Sequence, residues 1–312
     1  MRRRAVAAFC IVLAVAPVPG QARAGAPATV RADSSLPGAP NCPIFPASNI
    51  WNRDISRLPV ARNSTALLQS ISPSRGLHPD FSSQGLYGIP FSTVGGKQAK
   101  VAVSFDYASE SDKGPYPIPA NPVIENGSDA HVLLVNRDTC VLYELYAVRR
   151  QGNGWQAGSG AIWNLRSNAL RPQGWTSADA AGLPILPGLA RYDEVARGII
   201  DHALRFTAQR TQKAHIYPAR HDASNLTSSL LPPMGVRVRL KASVDISWAG
   251  PQARVVLTAL KRYGMILADN GSPFYISGSP DKRWNDDDLH QLKRISAADL
   301  EVVDTSRLLN GS

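Results

Sequence analysis

Short runs of alternating apolar and polar residues recur along the chain. They predict β-strands, because successive side chains of a strand point to opposite faces. One run, Lys100–Asp106, places its apolar residues on one face. In another, Gly235–Ala242, apolar residues alternate with basic ones, which predicts one buried face and one basic face. Two pairs of runs predict hairpins: Ala130–Asn136 with Cys140–Tyr146, and Asp201–Thr207 with Ala214–Tyr217.

Helical patterns are fewer, and most of them lie towards the C-terminus. Asn63–Ile71 predicts a short helix, and Pro251–Tyr263 predicts a longer one with an apolar stripe and Gly264 just past its end. Asn285 is placed to cap a helix over Asp286–Lys293. Together, the patterns predict a mostly-β fold. We expect a β-sandwich or jelly-roll-like single domain with a few short helices, mainly C-terminal.

The N-terminal residues have the pattern of a secretory signal peptide. Three arginines precede the apolar run Ala5–Val18, and Ala22-Arg23-Ala24 provides a small-x-small cleavage site. We therefore predict a signal peptide over residues 1–24, a disordered leader over residues 25–48, and one domain over residues 49–312. The predicted location is secreted, extracellular or periplasmic, with no membrane attachment after signal cleavage.

Charge and cysteine content narrow the expected partners. Arg2, Arg3, Arg4 and Arg23 all lie in residues 1–24, so cleavage would lower the formal net charge from +10 to +6. The remaining basic residues form no run, which argues against a nucleic-acid partner and leaves an extracellular glycan as the expected one. The pattern does not indicate an oligomeric state. Cys42 and Cys140 are the two cysteines outside the signal peptide and predict one disulfide.

The segment from Tyr192 to Asp222 concentrates titratable residues, including three of the six histidines. If a hairpin forms there, His202, His215 and Tyr217 share one face. A His/Tyr pair suits β-elimination at a uronate, with one group as base and the other as acid. The candidate catalytic residues are therefore His202, Tyr217, His215, His221 and Asp201, and the candidate substrate-binding residues are Arg205, Arg220, His131 and Trp175.

Three alternatives stay open. A glycoside hydrolase would use paired carboxylates from Asp106, Glu110 and Glu144. A non-catalytic protein that binds glycan or cell envelope would use exposed loop aromatics. The histidines could also hold Zn²⁺, and the Asp106–Asp112 loop Ca²⁺, although no spacing supports either metal, so the expectation is no cofactor. The leading prediction is a carbohydrate-active enzyme that cleaves an extracellular polysaccharide, as a lyase or a hydrolase.

Five long runs resemble a group of secreted bacterial proteins of unknown function. They are Gly174–Glu194, Asp201–Thr207, Leu231–Ser247, Ala259–Gly271 and Tyr275–Leu289. The resemblance extends from about Asn49 to Asp304 and implies a single exported domain. It brings no activity and no catalytic residue with it.

Overall fold

The computed structural model describes residues 36–310, apart from the side chains of residues 309 and 310. The predicted signal peptide lies outside the described residues. Of the predicted leader, residues 25–35 also lie outside them, whereas residues 36–48 are folded: Leu36, Cys42 and Ile44 are all buried in the core. Cys42 and Cys140 form the predicted disulfide, which joins this segment to the start of a central strand.

Thirteen short strands and four short α-helices lie among the described residues. The helices are α1 (Ser64–Ile71), α2 (Tyr192–Ala196), α3 (Pro251–Arg262) and α4 (Asp286–His290). The strands are β1 (His78–Asp80), β2 (Phe91–Val94), β3 (Val103–Phe105), β4 (Val132–Asn136), β5 (Val141–Tyr146), β6 (Arg149–Gln151), β7 (Gly154–Ala157), β8 (Ser159–Asn164), β9 (Leu204–Ala208), β10 (Arg237–Leu240), β11 (Met265–Asn270), β12 (Tyr275–Ser277) and β13 (Leu300–Val302). The mostly-β prediction is confirmed.

The strands form three sheets. The largest has six strands in the order β1-β12-β9-β11-β10-β13, the second has four in the order β2-β4-β5-β8, and the third has three in the order β3-β7-β6. Parallel and antiparallel pairs are mixed, since β9 runs parallel to β11 and antiparallel to β12. The finer prediction of a sandwich or jelly roll is not confirmed by this arrangement.

The four-stranded sheet is buried on both faces. In β4, Leu133 and Val135 belong to the large core that also holds the six-stranded sheet. Val132 and Leu134 belong to a smaller core shared with the three-stranded sheet. The β4–β5 hairpin forms as predicted, with Asn136 opposite Val141.

Local signals located α1, α3 and α4, whereas the short helix α2 was not predicted. Asn285 caps α4 by accepting a hydrogen bond from the Asp288 N–H. In α3, Pro251 occupies the first turn, and Gly264, past the end, adopts a φ of +65°, a left-handed conformation that glycine reaches without a Cβ penalty. The apolar stripe of this helix is buried, including Ala253, Val256 and Leu260.

The basic face predicted for Gly235–Ala242 is wrong, because every residue of β10 is buried. The Arg237 guanidinium donates to the carbonyls of Ile50, Arg53 and Tyr263. Arg239 donates to Glu301 on the neighbouring strand at 2.7 Å. The segment around residues 50–55 covers this face, so the arginines satisfy backbone acceptors instead of reaching solvent.

Candidate active site

The hairpin predicted for Asp201–Thr207 and Ala214–Tyr217 does not form. β9 lies between β11 and β12, while His215 makes an isolated bridge to Met234. His202 is buried, with its Nε2 3.1 Å from a Glu194 carboxylate oxygen. The cross-strand alignment that placed His202 and Tyr217 on one face is therefore wrong.

An open pocket of about 340 Å³ lies where β5 and β11 end. Its wall is built from segments that are far apart in sequence. They are the turn at residues 107–110, Asp129, Tyr146 at the end of β5, the loop at residues 176–180, residues 221–223 and the end of β11. The charged and aromatic lining residues are Tyr107, Glu110, Asp129, Tyr146, Asp179, His221 and Asp269.

The 176–182 loop forms one wall of the pocket and is tied to β11. The Ala181 N–H donates to the Ala268 carbonyl at 2.9 Å. The Ala268 carbonyl can accept this hydrogen bond because the pairing of β9 with β11 is irregular between Leu267 and Asp269. Bulges of this kind often redirect side chains beside functional sites. Gly182 closes the loop with a φ of +68°, and a Cβ there would collide with the Trp175 carbonyl.

A buried ion pair supports this wall. The Arg205 guanidinium binds the Asp179 carboxylate through Nε at 2.9 Å and Nη2 at 2.8 Å. Its Nη1 donates to the Ser277 hydroxyl. The same Nη2 lies 3.7 Å from Asp269 Oδ2, whose side chain is 26% exposed and lines the pocket. One cation therefore faces two carboxyl groups.

The arrangement favours a protonated Asp269. Burial, together with the nearby Asp179 carboxylate, raises the pKa of Asp269 to about 7, and Arg205 opposes the rise. A carboxylic acid that keeps its proton near neutral pH can act as a general acid.

Behind the pocket wall, the buried His131 pairs with Glu125, whose side chain is 15% exposed. His131 Nε2 faces the carbonyl of Ala178, a lining residue, at 3.1 Å, and Nδ1 faces Glu125 at 2.5 Å. Both partners are acceptors, so both ring nitrogens carry a proton when Glu125 is ionised. Burial alone would lower the pKa of His131, but the Glu125 hydrogen bond raises it overall. His131 is thus a charged support for the 176–180 loop.

Glu110 and His221 also line the pocket, and each forms a hydrogen bond with the 176–180 loop. His221 Nδ1 lies 2.8 Å from the Ala180 carbonyl, so Nδ1 carries the proton and, in the neutral ring, Nε2 keeps its lone pair. That Nε2 lies 3.7 Å from Glu110 Oε2, which accepts the Thr176 N–H at 3.0 Å. About a third of the Glu110 side chain is exposed, so it can meet a ligand.

The other predicted site residues lie elsewhere. Asp106 is exposed and paired with Arg149 at 3.0 Å. Glu144 is fully buried and accepts hydrogen bonds from Ile185, Leu186 and Trp163, and burial raises its pKa to about 7. The remaining candidates line no part of the pocket. Tyr217 and Asp201 are half-buried, and His215 faces Asp222. Arg220 donates to the Arg171 carbonyl, and the Trp175 ring packs near the Arg171 guanidinium.

The structure therefore brings His221 and Glu110 into one pocket, with Arg205 and His131 directly behind it. Sequence reasoning missed Asp269, Asp179 and Asp129. Asp269 and Asn270 follow the apolar run of β11, and polar residues at the end of a buried strand were a usable signal. Asp179 carried no comparable signal, because it lies in an irregular loop. Within residues 36–310, no group of three or more His, Cys, Asp or Glu side chains is arranged to hold a metal ion.

The chain matches no protein-family model, no curated protein and no solved structure. The resemblance to secreted bacterial proteins stays a prediction. Among the described residues, no helix is long and apolar enough to cross a bilayer. The disulfide is compatible with an extracellular or periplasmic protein.

Proposed function

We propose that this protein is an exported enzyme that hydrolyses an extracellular polysaccharide in the pocket between Glu110 and Asp269. The observation that carries the proposal is the pairing of a partly buried acid with a second carboxyl group in one open pocket. Asp269 is held beside Asp179, which favours its protonated form, and Glu110 is held by the Thr176 N–H. Two carboxyl groups with different protonation are the usual equipment of a glycosidase.

The reaction needs only these two groups and water. Asp269 donates its proton to the glycosidic oxygen as the bond to the anomeric carbon breaks. The oxygen of a water molecule bonds to that carbon, and Glu110 accepts the proton that the water loses. Proton exchange with solvent then restores both carboxyl groups. The Thr176 N–H positions Glu110 by donating to it at 3.0 Å, and the His221 ring lies 3.7 Å from the same carboxylate oxygen.

The charge of the pocket favours hydrolysis of a neutral glycan over β-elimination at a uronate. Glu110, Asp129, Asp179 and Asp269 all line it. Arg205, the cation that a uronate would need, is buried and already bound to Asp179. A uronate carboxylate would face the Glu110 and Asp129 carboxylates, and neither lysine nor arginine lines the described pocket, whereas neutral hydroxyls can donate hydrogen bonds to these oxygens.

The test is release of reducing ends from neutral polysaccharides by the purified mature protein. Glu110→Gln and Asp269→Asn should each lower the rate by about 10²- to 10⁴-fold, the usual contribution of a positioned acid or base. Asp106→Asn is the matched control, since Asp106 is an exposed carboxylate outside the pocket. Unsaturated products from a polyuronate, or equal loss in the Asp106 variant, would refute the proposal.

A glycan-binding protein without catalysis is the second candidate. It is supported by Tyr107, which is 56% exposed on the pocket wall and offers a flat ring to a sugar. Retention of the protein on a polymer without any product, and loss of retention in Tyr107→Ala, would favour this alternative over hydrolysis.

A further inference from the structure

A second pocket, of about 370 Å³, lies between the residues that begin and follow β1 and the helix α4. We call it the β1–α4 pocket. It has no lining residue in common with the proposed active site. Its wall combines apolar and neutral polar side chains with the two aspartates Asp286 and Asp287 of α4. Among the other lining residues are His78, Phe81, Ser82, Leu86, Tyr87 and His290.

Two polar atoms of this wall have no protein partner. Within the described part of the chain, neither His78 Nδ1 nor Ser82 Oγ makes a hydrogen bond, although both atoms are shielded from solvent. An unpaired buried polar atom costs about 1–3 kcal/mol. The neighbouring Asp286, by contrast, is fully engaged by the N–H and hydroxyl of Ser83 at 2.8 Å and 2.7 Å. Both residues line the pocket, and the protein satisfies neither of these two atoms.

The rim of the pocket exposes apolar surface. Tyr87 is 61% exposed and the adjacent Leu86 is 54% exposed, both in the turn that follows Ser82. Below them, Phe81 is buried against Trp284, with ring centroids 5.0 Å apart. A flat exposed ring beside a polar pocket suits a ligand that has one apolar face and a hydroxyl-bearing edge, which is the shape of a pyranose ring.

The charge of the pocket favours a neutral ligand. Burial, together with the nearby charges of Lys293, His290 and Arg75, lowers the pKa of His78 to about 4, so the ring is neutral at physiological pH. A neutral imidazole has one donor and one acceptor nitrogen, as a sugar hydroxyl requires. The carboxylates that face it from α4 are Asp286, which is engaged by Ser83, and Asp287, which is exposed.

We infer that the β1–α4 pocket binds a neutral sugar residue, with Tyr87 stacking on the ring and Ser82 and His78 bonding its hydroxyls. The inference goes beyond hydrolysis by adding a non-catalytic binding site. It rests on the proposed function only in taking the sugar to be part of the polymer that is cleaved. Such a site would hold a polymer on the protein surface while a chain end or branch reaches the active site.

The experiment is affinity electrophoresis of the mature protein in gels that contain xylan, galactomannan or amylopectin, with polygalacturonate as the anionic probe. All variants carry Asp269→Asn, which separates binding from cleavage. We expect retention on at least one neutral polymer. Adding Tyr87→Ala or Ser82→Ala should weaken that retention about 5- to 10-fold, as expected for loss of a central contact worth more than 1 kcal/mol.

Leu230→Ala is the control, because Leu230 is 62% exposed and lies outside both pockets. Its retention should equal that of the parent, and thermal melting should show that every variant is folded. Equal retention of the Tyr87, Ser82 and parent proteins, or stronger retention on polygalacturonate, overturns the inference. If the unmutated protein cleaves a polymer but retention does not depend on Tyr87, only the binding site is refuted. If retention depends on Tyr87 but the unmutated protein cleaves nothing, only the proposed function is refuted.

Discussion

Asp179→Asn tests whether the buried Asp179 carboxylate keeps Asp269 protonated. Asp179 Oδ1 and Asp269 Oδ2 lie 2.8 Å and 3.7 Å from the same Arg205 nitrogen, so these two oxygens are at most 6.5 Å apart. Two unit charges at that separation repel by about 2.5 kcal/mol at an effective dielectric constant of 20 and by about 0.6 kcal/mol at the dielectric constant of water. Asparagine removes this repulsion, and the pKa of Asp269 should fall.

The expected result is a change in the pH profile of kcat/KM. Asp269 acts in its protonated form, so activity declines as the pH rises through the pKa of Asp269. A lower pKa moves this alkaline decline to lower pH, by about 0.5 to 2 pH units from the energies above. Because the Asp269 side chain is 26% exposed, solvent screening favours the lower half of that range.

The assay is reducing-end release over a pH series, with ¹³C chemical shifts of the Asp269 carboxyl group as a measurement that does not need turnover. Asp106→Asn should leave the profile unchanged. Thermal melting checks that the Asp179 variant is folded, which we expect because asparagine still accepts one hydrogen bond from Arg205. An alkaline decline that stays in place, or moves to higher pH, would show that Asp179 does not control Asp269.

Two further predictions concern stability. Replacing Cys42 and Cys140 together by serine opens a loop with a sequence separation of 98 and should lower the free energy of unfolding by about 4 kcal/mol, measured by urea denaturation; a loss below about 1 kcal/mol would contradict the chain-entropy argument. His131→Ala should cost about 2–4 kcal/mol, because it leaves the partly buried Glu125 without its partner. Since the pKa of His131 is raised in the folded state, its contribution is complete below the ordinary histidine pKa of 6.5 and is lost as the pH rises through the folded pKa. Urea denaturation of the His131 variant should therefore show a larger deficit at acidic than at alkaline pH, and an equal deficit at both would exclude a charged His131.

Much of the secondary structure could be predicted because its signals are local. The β4–β5 hairpin is closed by a short turn, and α3 and α4 begin and end at residues whose side chains or backbone suit those positions. Boundaries were less accurate, since the run Lys100–Asp106 yields only the strand Val103–Phe105. The predicted disulfide required only two cysteines and an oxidising compartment.

Strand neighbours and the burial of each face could not be predicted in the same way. β9 was expected to pair with a segment a few residues further on, but it pairs with β11, more than fifty residues away. Alternation in β10 indicated an exposed basic face, and an N-terminal segment covers that face. Both errors have one cause: pairing and coverage depend on segments distant in sequence, which local periodicity does not report.

The candidate site also combines features that are local in sequence with features that depend on the tertiary structure. The sequence by itself determined the residue types, the concentration of histidines in one region, the helix ends and the cysteine pair. Only the tertiary structure decided that His202 is buried against Glu194, while His221 and Glu110 share a pocket with Asp269. The physical reason is that the pocket forms where the ends of two sheets and an irregular loop meet. The protonation of Asp269 depends on Asp179 and Arg205, which only folding brings close to it.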